Sequence, residues 1–191
     1  MDSADVDVFY VRRILSNEQV DGILSLGMAD YMDAYRIDAA EVTTHHLAKA
    51  KSAWDMELSK HLSSIQFHAQ AGTVNPPVNL ILAQESTSRA VVGFLLANQL
   101  DHPQIRDIRF VVVLKEYRHH GILNRMIRAL ADEHPVITLD CKNERFFQSS
   151  GFVVTGKLGN HTTMQLGTLP ESVSSPRANL KPDTSDTSSP S

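Results

Sequence analysis

A chain of 191 residues with one cysteine, Cys141, cannot carry an intrachain disulfide framework. No apolar run approaches the ~20 residues that a membrane-crossing helix needs. The first residues, MDSADVDVF, also lack the basic-then-apolar pattern of a secretory signal. The cytoplasm is therefore the expected location, and no membrane partner is expected. Basic charge is not in excess either: 18 Lys and Arg against 22 Asp and Glu leave a net charge of -4. That balance gives no general footprint for nucleic acid, although the average would hide a local patch at Arg118, His119 and His120. Nine histidines are present, but His45-His46 and His119-His120 are adjacent pairs that diverge on a helix or strand. With no HxxxH spacing and no cysteine cluster, no metal site is expected. The P-loop pattern GxxxxGK[ST] and the pattern GxGxxG are both missing, which removes the main support for nucleotide-hydrolysing and dinucleotide-binding folds.

What is there suffices for one buried domain, since 42% of the residues are hydrophobic. Composition breaks at Thr168: fourteen of the last 24 residues are Ser, Thr or Pro, and large apolar side chains nearly vanish. Such a segment cannot bury enough surface to offset its ordering entropy. The expected organisation is a folded domain over residues 1–167 and a disordered tail over 168–191.

Within the domain the periodicities predict β, α, α, three strands, α, β, α and two strands. Val6 to Leu15 alternates as a first strand, and Ser16 with Gln19 forms a capping-box pattern that opens a helix through about Asp33. Leu47, Trp54, Leu58, Leu62 and Ile65 recur at helical spacing between Ala39 and Gln70, and Pro76-Pro77 stops any continuation. Val78 to Ala83, Val91 to Ala97 and Val136 to Cys141 read as strands.

The most specific stretch runs from residue 105 to 152. An apolar, β-branched run from Phe110 to Leu114 ends in Arg118-His119-His120-Gly121. A helix then follows at once, with Ile122, Met126, Ile127 and Leu130 on one stripe. A strand feeding a helix through a tight basic turn aims the first, unpartnered helical N–H groups and the positive end of the helix dipole at one point. That point favours a phosphate.

Three linked pieces narrow the ligand. The turn Arg118-His119-His120-Gly121-Ile122-Leu123, the strand exit Val113 to Arg118 before it, and Phe146-Phe147-Gln148-Ser149-Ser150-Gly151-Phe152 after it together resemble the GNAT superfamily of acyl-CoA-dependent N-acetyltransferases. The resemblance covers about a quarter of the chain by motif and the rest by element order. It implies an α/β (α+β) fold whose central sheet is mixed, mostly antiparallel and twisted, with six to seven strands and about four helices. It further implies acetyl-CoA as cosubstrate and an amine acceptor as partner, and it leaves a homodimer open.

Carried over residue by residue, the resemblance implies that backbone groups on Val111, Val112 and Val113 hold the pantetheine amides and stabilise the developing oxyanion. N–H groups from His119, His120, Gly121, Ile122 and Leu123 would cradle the pyrophosphate, with Arg118 supplying charge or bracing the turn. Asn143 stands near the place of a cofactor-touching asparagine, with a helix N-cap as the alternative. Asp107 matches the strand position that carries the general base in the histone-acetylating branch, and Glu85 is the reserve. Two departures stand out. Leu123 replaces the small residue that ends the family's turn, and Phe147 replaces the tyrosine that protonates the departing thiolate in many members.

Cys141 reads as a packed thiol, and Trp54 as a core anchor on the helical region that carries His61 and His68. Two functions follow. The first is an acetyl-CoA-dependent N-acetyltransferase working by direct attack in a ternary complex. The alternative is a lapsed acyl-CoA-binding or interaction module. Small amines, amino sugars, peptide termini, lysines and nucleobase amines all remain open as acceptors.

Overall fold

Ser16 and Gln19 open the first helix with a reciprocal cap. Gln19 N–H donates to Ser16 Oγ at 3.2 Å, and Ser16 N–H donates to Gln19 Oε1 at 3.1 Å, which satisfies two donors that a helix start leaves free. The computed structural model describes residues 5–34 and 44–169. Its elements run β1 (Val6–Tyr10), α1 (Asn17–Ala34), α2 (Thr44–Gln70), β2 (Val78–Glu85), β3 (Val91–Gln99), β4 (Ile105–Val113), α3 (Ile122–Ala131), β5 (Val136–Cys141), α4 (Arg145–Gln148), β6 (Val153–Leu158) and β7 (His161–Leu166). The order is the one the sequence predicts. The proposed tail lies outside the described residues from 170 onward.

All seven strands join one sheet in the order β1-β2-β3-β4-β5-β7-β6. Every pairing is antiparallel except β4 with β5. That parallel pair needs a crossover, and α3 supplies it. Strand alternation divides the core between the two faces. Ile81, Leu95, Ile108, Ile137, Leu139 and Met164 meet Ile122, Met126, Ile127 and Leu130 of α3 on one face. On the other, Leu80, Leu82, Phe94, Leu96 and Val112 meet Ile23 and Leu26 of α1 and Leu58, Leu62 and Ile65 of α2. The two long helices approach closely at Gly27, where a Cβ would come within 1.9 Å of the Trp54 ring. Trp54 is thereby set edge-on to Phe110, with centroids 5.6 Å apart.

Two boundaries differ from the sequence reading. The first strand stops at Tyr10 because the chain then leaves the sheet: Leu15 is buried, and its N–H donates to Gln66 Oε1 of α2 at 2.9 Å. Strand β4 begins at Ile105, five residues before its apolar run, because Arg106 points into the protein and is fully buried. Arg106 Nε donates to Asn79 Oδ1, Nη1 to Pro103 O at 2.7 Å, and Nη2 to Asn75 Oδ1 at 2.7 Å. Next to it, the Tyr10 hydroxyl lies 3.2 Å from His134 Nε2. Burial pushes the Tyr10 hydroxyl pKa well up.

His134 gives this cluster a pH signature. Burial, then the charge of Arg106, pull its pKa down from 6.5 to about 4. The folded protein keeps the imidazole neutral, whereas the unfolded chain takes up a proton below about 6.5. Stability is therefore full above about pH 6.5 and falls as the pH drops toward 4, by up to about 3 kcal/mol from this group. Urea unfolding of the parent and of His134→Gln across pH 4–7 checks it. The variant should lose that part of the pH slope.

Candidate active site

Strands β4 and β5 pair only from Ile105 with Val136 to Ile108 with Leu139. Beyond that, Phe110–Val113 pair with β3 alone, and Asp140 and Cys141 with β7 alone. A bulge causes the parting. Phe110 faces Leu96 and Ile108 faces Ala97, so Arg109 is the extra residue, and a bulge bends its strand and increases its twist. The result is a wedge-shaped gap about 13 Å long on the β4 side, four residues at about 3.3 Å each.

The ladder phase fixes which backbone groups face this gap. Leu114 N–H donates to Val92 O at 2.8 Å, so by antiparallel alternation Val112 also bonds toward β3, while Val111 and Val113 turn away from it. The Val111 amide group and the Val113 N–H are thus available in the gap, and Val113 O accepts from Arg118 Nε at 2.9 Å. The sequence reading treated Val111, Val112 and Val113 alike. Alternation separates them.

The gap runs into the basic turn. A 3-10 turn over Lys115–Tyr117 leads to His119 at φ 67° and Gly121 at φ 71°, after which α3 starts with Arg125 N–H bonded to Gly121 O at 3.0 Å. Among the described residues, no backbone carbonyl accepts from His119, His120, Gly121, Ile122, Leu123 or Asn124. Six free amides around a helix N-terminus, on an exposed turn, form an anion seat. The Leu123 side chain packs against the core on the α3 side, so its bulk is directed into the protein while its N–H stays free. Ser150 Oγ donates to Asn124 Oδ1 at 2.5 Å and ties the segment after α4 to this first turn.

The remaining predicted residues divide between the two ends of the gap. Asp107 stands at the closed end, on the α1/α2 face. It accepts from Thr138 Oγ1 at 2.9 Å and lies 3.4 Å from Arg109 Nη1, with its side chain 18% exposed. Glu85 is at the turn end, where the Tyr117 hydroxyl donates to Oε1 at 2.9 Å and Ser88 Oγ donates to Oε2. These two hydrogen bonds, Ser88 first, hold its carboxyl below the ordinary range. Asp107 pairs with Asn98 of β3, and Glu85 N–H bonds to the carbonyl of Ala90, the residue just before β3. Eight residue steps along this chain separate the two partners, about 26 Å, so one reacting centre cannot use both.

Phe147 packs edge-on to Phe152 at 5.9 Å, against the α3-side core. Asn143 is exposed, and Glu144 takes the N-cap position of α4. Cys141 is half-buried with Sγ 3.7 Å from Met164 Sδ, and burial pushes its thiol pKa up, which suits a packed thiol. His61 lies edge-on to Phe110 at 6.0 Å and 3.3 Å from Glu57 Oε1. Among the described residues no three metal-ligating side chains gather, and no helix is long and apolar enough to cross a membrane. A cavity of about 940 Å³ lies between α1 and the β2–β3 turn; among its lining residues only Leu114 belongs to the site, and neither wall of the gap takes part.

The model of the acetyltransferase (GNAT) family matches residues 37–152. Solved structures similar in fold include the PaiA N-acetyltransferase from Thermoplasma acidophilum in complex with coenzyme A (TM-score 0.63, 14% identity), over 86% of this chain and 99% of that one. Another is the aminoglycoside 6'-acetyltransferase type Ii (TM-score 0.58, 17% identity), over 87% and 98%. A third is an acetyltransferase of the GNAT family from Staphylococcus aureus Mu50 (TM-score 0.54, 13% identity), over 84% and 98%. No curated protein matches the chain by sequence.

Proposed function

This chain belongs to the acetyltransferase (GNAT) family, and on that premise we propose that it transfers the acetyl group of acetyl-CoA to a primary amine by direct attack in a ternary complex. The observation that carries the reading is the continuity of the β4–β5 gap with the six-amide turn. Length agrees with it. From Val113 to Ile108 is about 16 Å of strand, and a pantetheine arm of about a dozen bonds near 1.5 Å each spans about that distance when zigzagged. With the pyrophosphate on the turn, the thioester reaches the closed end. Asp107 is there, and Glu85 is at the other end.

The amine nitrogen forms the new C–N bond at the thioester carbon, and the carbonyl oxygen becomes an oxyanion that the gap-facing N–H groups of β4 stabilise. Asp107 takes the amine proton as general base. Collapse breaks the C–S bond and releases the CoA thiolate. Phe147 has no proton to give, so water protonates the thiolate; a thiol pKa of about 8.5 makes it a tolerable leaving group unaided. No acyl-enzyme forms. The folded domain spans residues 1–167 in this reading, with 168–191 as a tail.

The test is release of free thiol from acetyl-CoA by the full chain with n-butylamine, glucosamine or a lysine-containing peptide, beside thermal unfolding with acetyl-CoA, CoA and ATP. Acetyl-CoA and CoA should stabilise and ATP should not, and Asp107→Asn should lower kcat by about 10² to 10⁴. The missing hydroxyl at Phe147 favours one other reading, an acyl-CoA binder without turnover. Stabilisation by CoA without thiol release from any amine would select it, and no stabilisation would end both.

A further inference from the structure

We infer that Thr138 is the positioning residue of the reaction, holding Asp107 so that one carboxylate oxygen is fixed and the other, which meets the exposed Arg109, is left to the amine. This rests on the reading of Asp107 as the base. The two residues are direct partners in the parallel pairing, one rung before the last, Ile108 with Leu139, after which the strands part. Register therefore puts both side chains on the same face of the sheet at the closed end of the gap.

Thr138 Oγ1 donates to Asp107 Oδ1 at 2.9 Å, a charge-assisted contact of the stronger kind. Threonine is β-branched and stiff at χ1, so the hydroxyl is itself held by β5. The contact on Oδ2 is of another sort. Arg109 Nη1 lies 3.4 Å away on a side chain that is 52% exposed, a pair that solvent screens and that constrains little. Oδ2 is thus the oxygen that an entering amine can use. A base oriented by a third group is what a directed proton transfer requires. A threonine that merely favours the strand would make no demand on its hydroxyl.

The experiment compares Thr138→Val, Thr138→Ser, Asp107→Asn and the double variant Thr138→Val/Asp107→Asn in the full chain. The readout is thiol release with whichever of the three amines above reacts fastest. Thr138→Val should lower kcat about tenfold, the effect of one lost charge-assisted hydrogen bond at the barrier, while the thermal shift given by CoA stays unchanged. Thr138→Ser should restore the rate. In the Asp107→Asn background, Thr138→Val should cost nearly nothing, because residues that act as a unit are not additive.

Equal fractional losses in both backgrounds, a serine variant as slow as the valine one, or an unimpaired valine variant would each overturn the assignment while leaving acetyl transfer intact. A parent that binds CoA but releases no thiol, or an Asp107→Asn variant as fast as the parent, would instead remove the base on which it rests. The role of Thr138 would then fall with it.

Discussion

Gly121→Asp should nearly abolish the stabilisation that acetyl-CoA gives the parent, while Gly121→Ala keeps it. Gly121 sits at φ 71° with nothing within 4 Å of the position a Cβ would take. Neither substitution clashes, and both meet the left-handed backbone penalty of about 1 kcal/mol or more, which aspartate tolerates best. They differ in charge. The introduced carboxylate would stand among amides from His119 to Asn124 that otherwise have no carbonyl to serve, and it would meet the pyrophosphate as a like charge. A hundredfold loss of affinity corresponds to about 2.7 kcal/mol.

With acetyl-CoA at a hundred times the parent's Kd, linkage gives the parent about 2.7 kcal/mol and the aspartate variant about 0.4. For a chain of this size that is a shift of about 5–10 °C against about 1 °C. Scanning the three proteins with and without acetyl-CoA decides the matter. If the alanine variant also loses its shift, the turn's conformation and not its free amides governs binding. If the aspartate variant keeps its shift, the cofactor's phosphates lie elsewhere.

The turn was legible in the sequence because glycine, basic residues and an abrupt change of period coincide there, and each has a local cause. The stripe Ile122, Met126, Ile127 and Leu130 is buried as its spacing predicts, and the cap at Ser16 forms with both reciprocal bonds. These are short-range features, and local sequence carries them.

Periodicity alone does not show the start of β4, since Ile105-Arg106-Asp107-Ile108-Arg109 carries three charges in five residues; the resemblance is what puts Asp107 on the strand. Only tertiary structure brings Arg106 its acceptors from residues 75, 79 and 103. Thr138 was missed for a related reason. Its meaning depends on the register that puts it beside Asp107, 31 positions away, and no periodicity reports register between strands joined by a helix. Glu85 shows the converse: nearness to a strand end made it a candidate base, while topology sets it about 26 Å from the closed end of the gap.

The buried guanidinium leads to the largest expected stability effect, which depends on what is left behind. Arg106→Met removes a side chain of similar length, so the hole is small. It strands Asn79, however, which is 1% exposed and whose Nδ2 has no well-formed hydrogen bond among the described residues. Without Arg106 Nε, Asn79 Oδ1 is orphaned as well. A buried polar group left unsatisfied costs about 1–3 kcal/mol, and a lost hydrogen bond to a charged group about 1.5–3.

Against this stands relief of the desolvation that pulls the Arg106 pKa down. Asn75 and Pro103 lie at the surface, where water can replace the guanidinium. The balance is a loss of about 2–4 kcal/mol, which lowers Tm by about 10 °C. Replacing both partners gives the opposite expectation. Arg106→Met/Asn79→Leu leaves no orphaned amide, and exchanging both members of a buried polar pair for apolar groups of similar shape is close to neutral. The double variant should therefore melt within a few degrees of the parent and well above the single one. A double variant no better than Arg106→Met would instead mean that the guanidinium stabilises through the two surface loops it joins, at residues 75 and 103, and not through the asparagine beneath it.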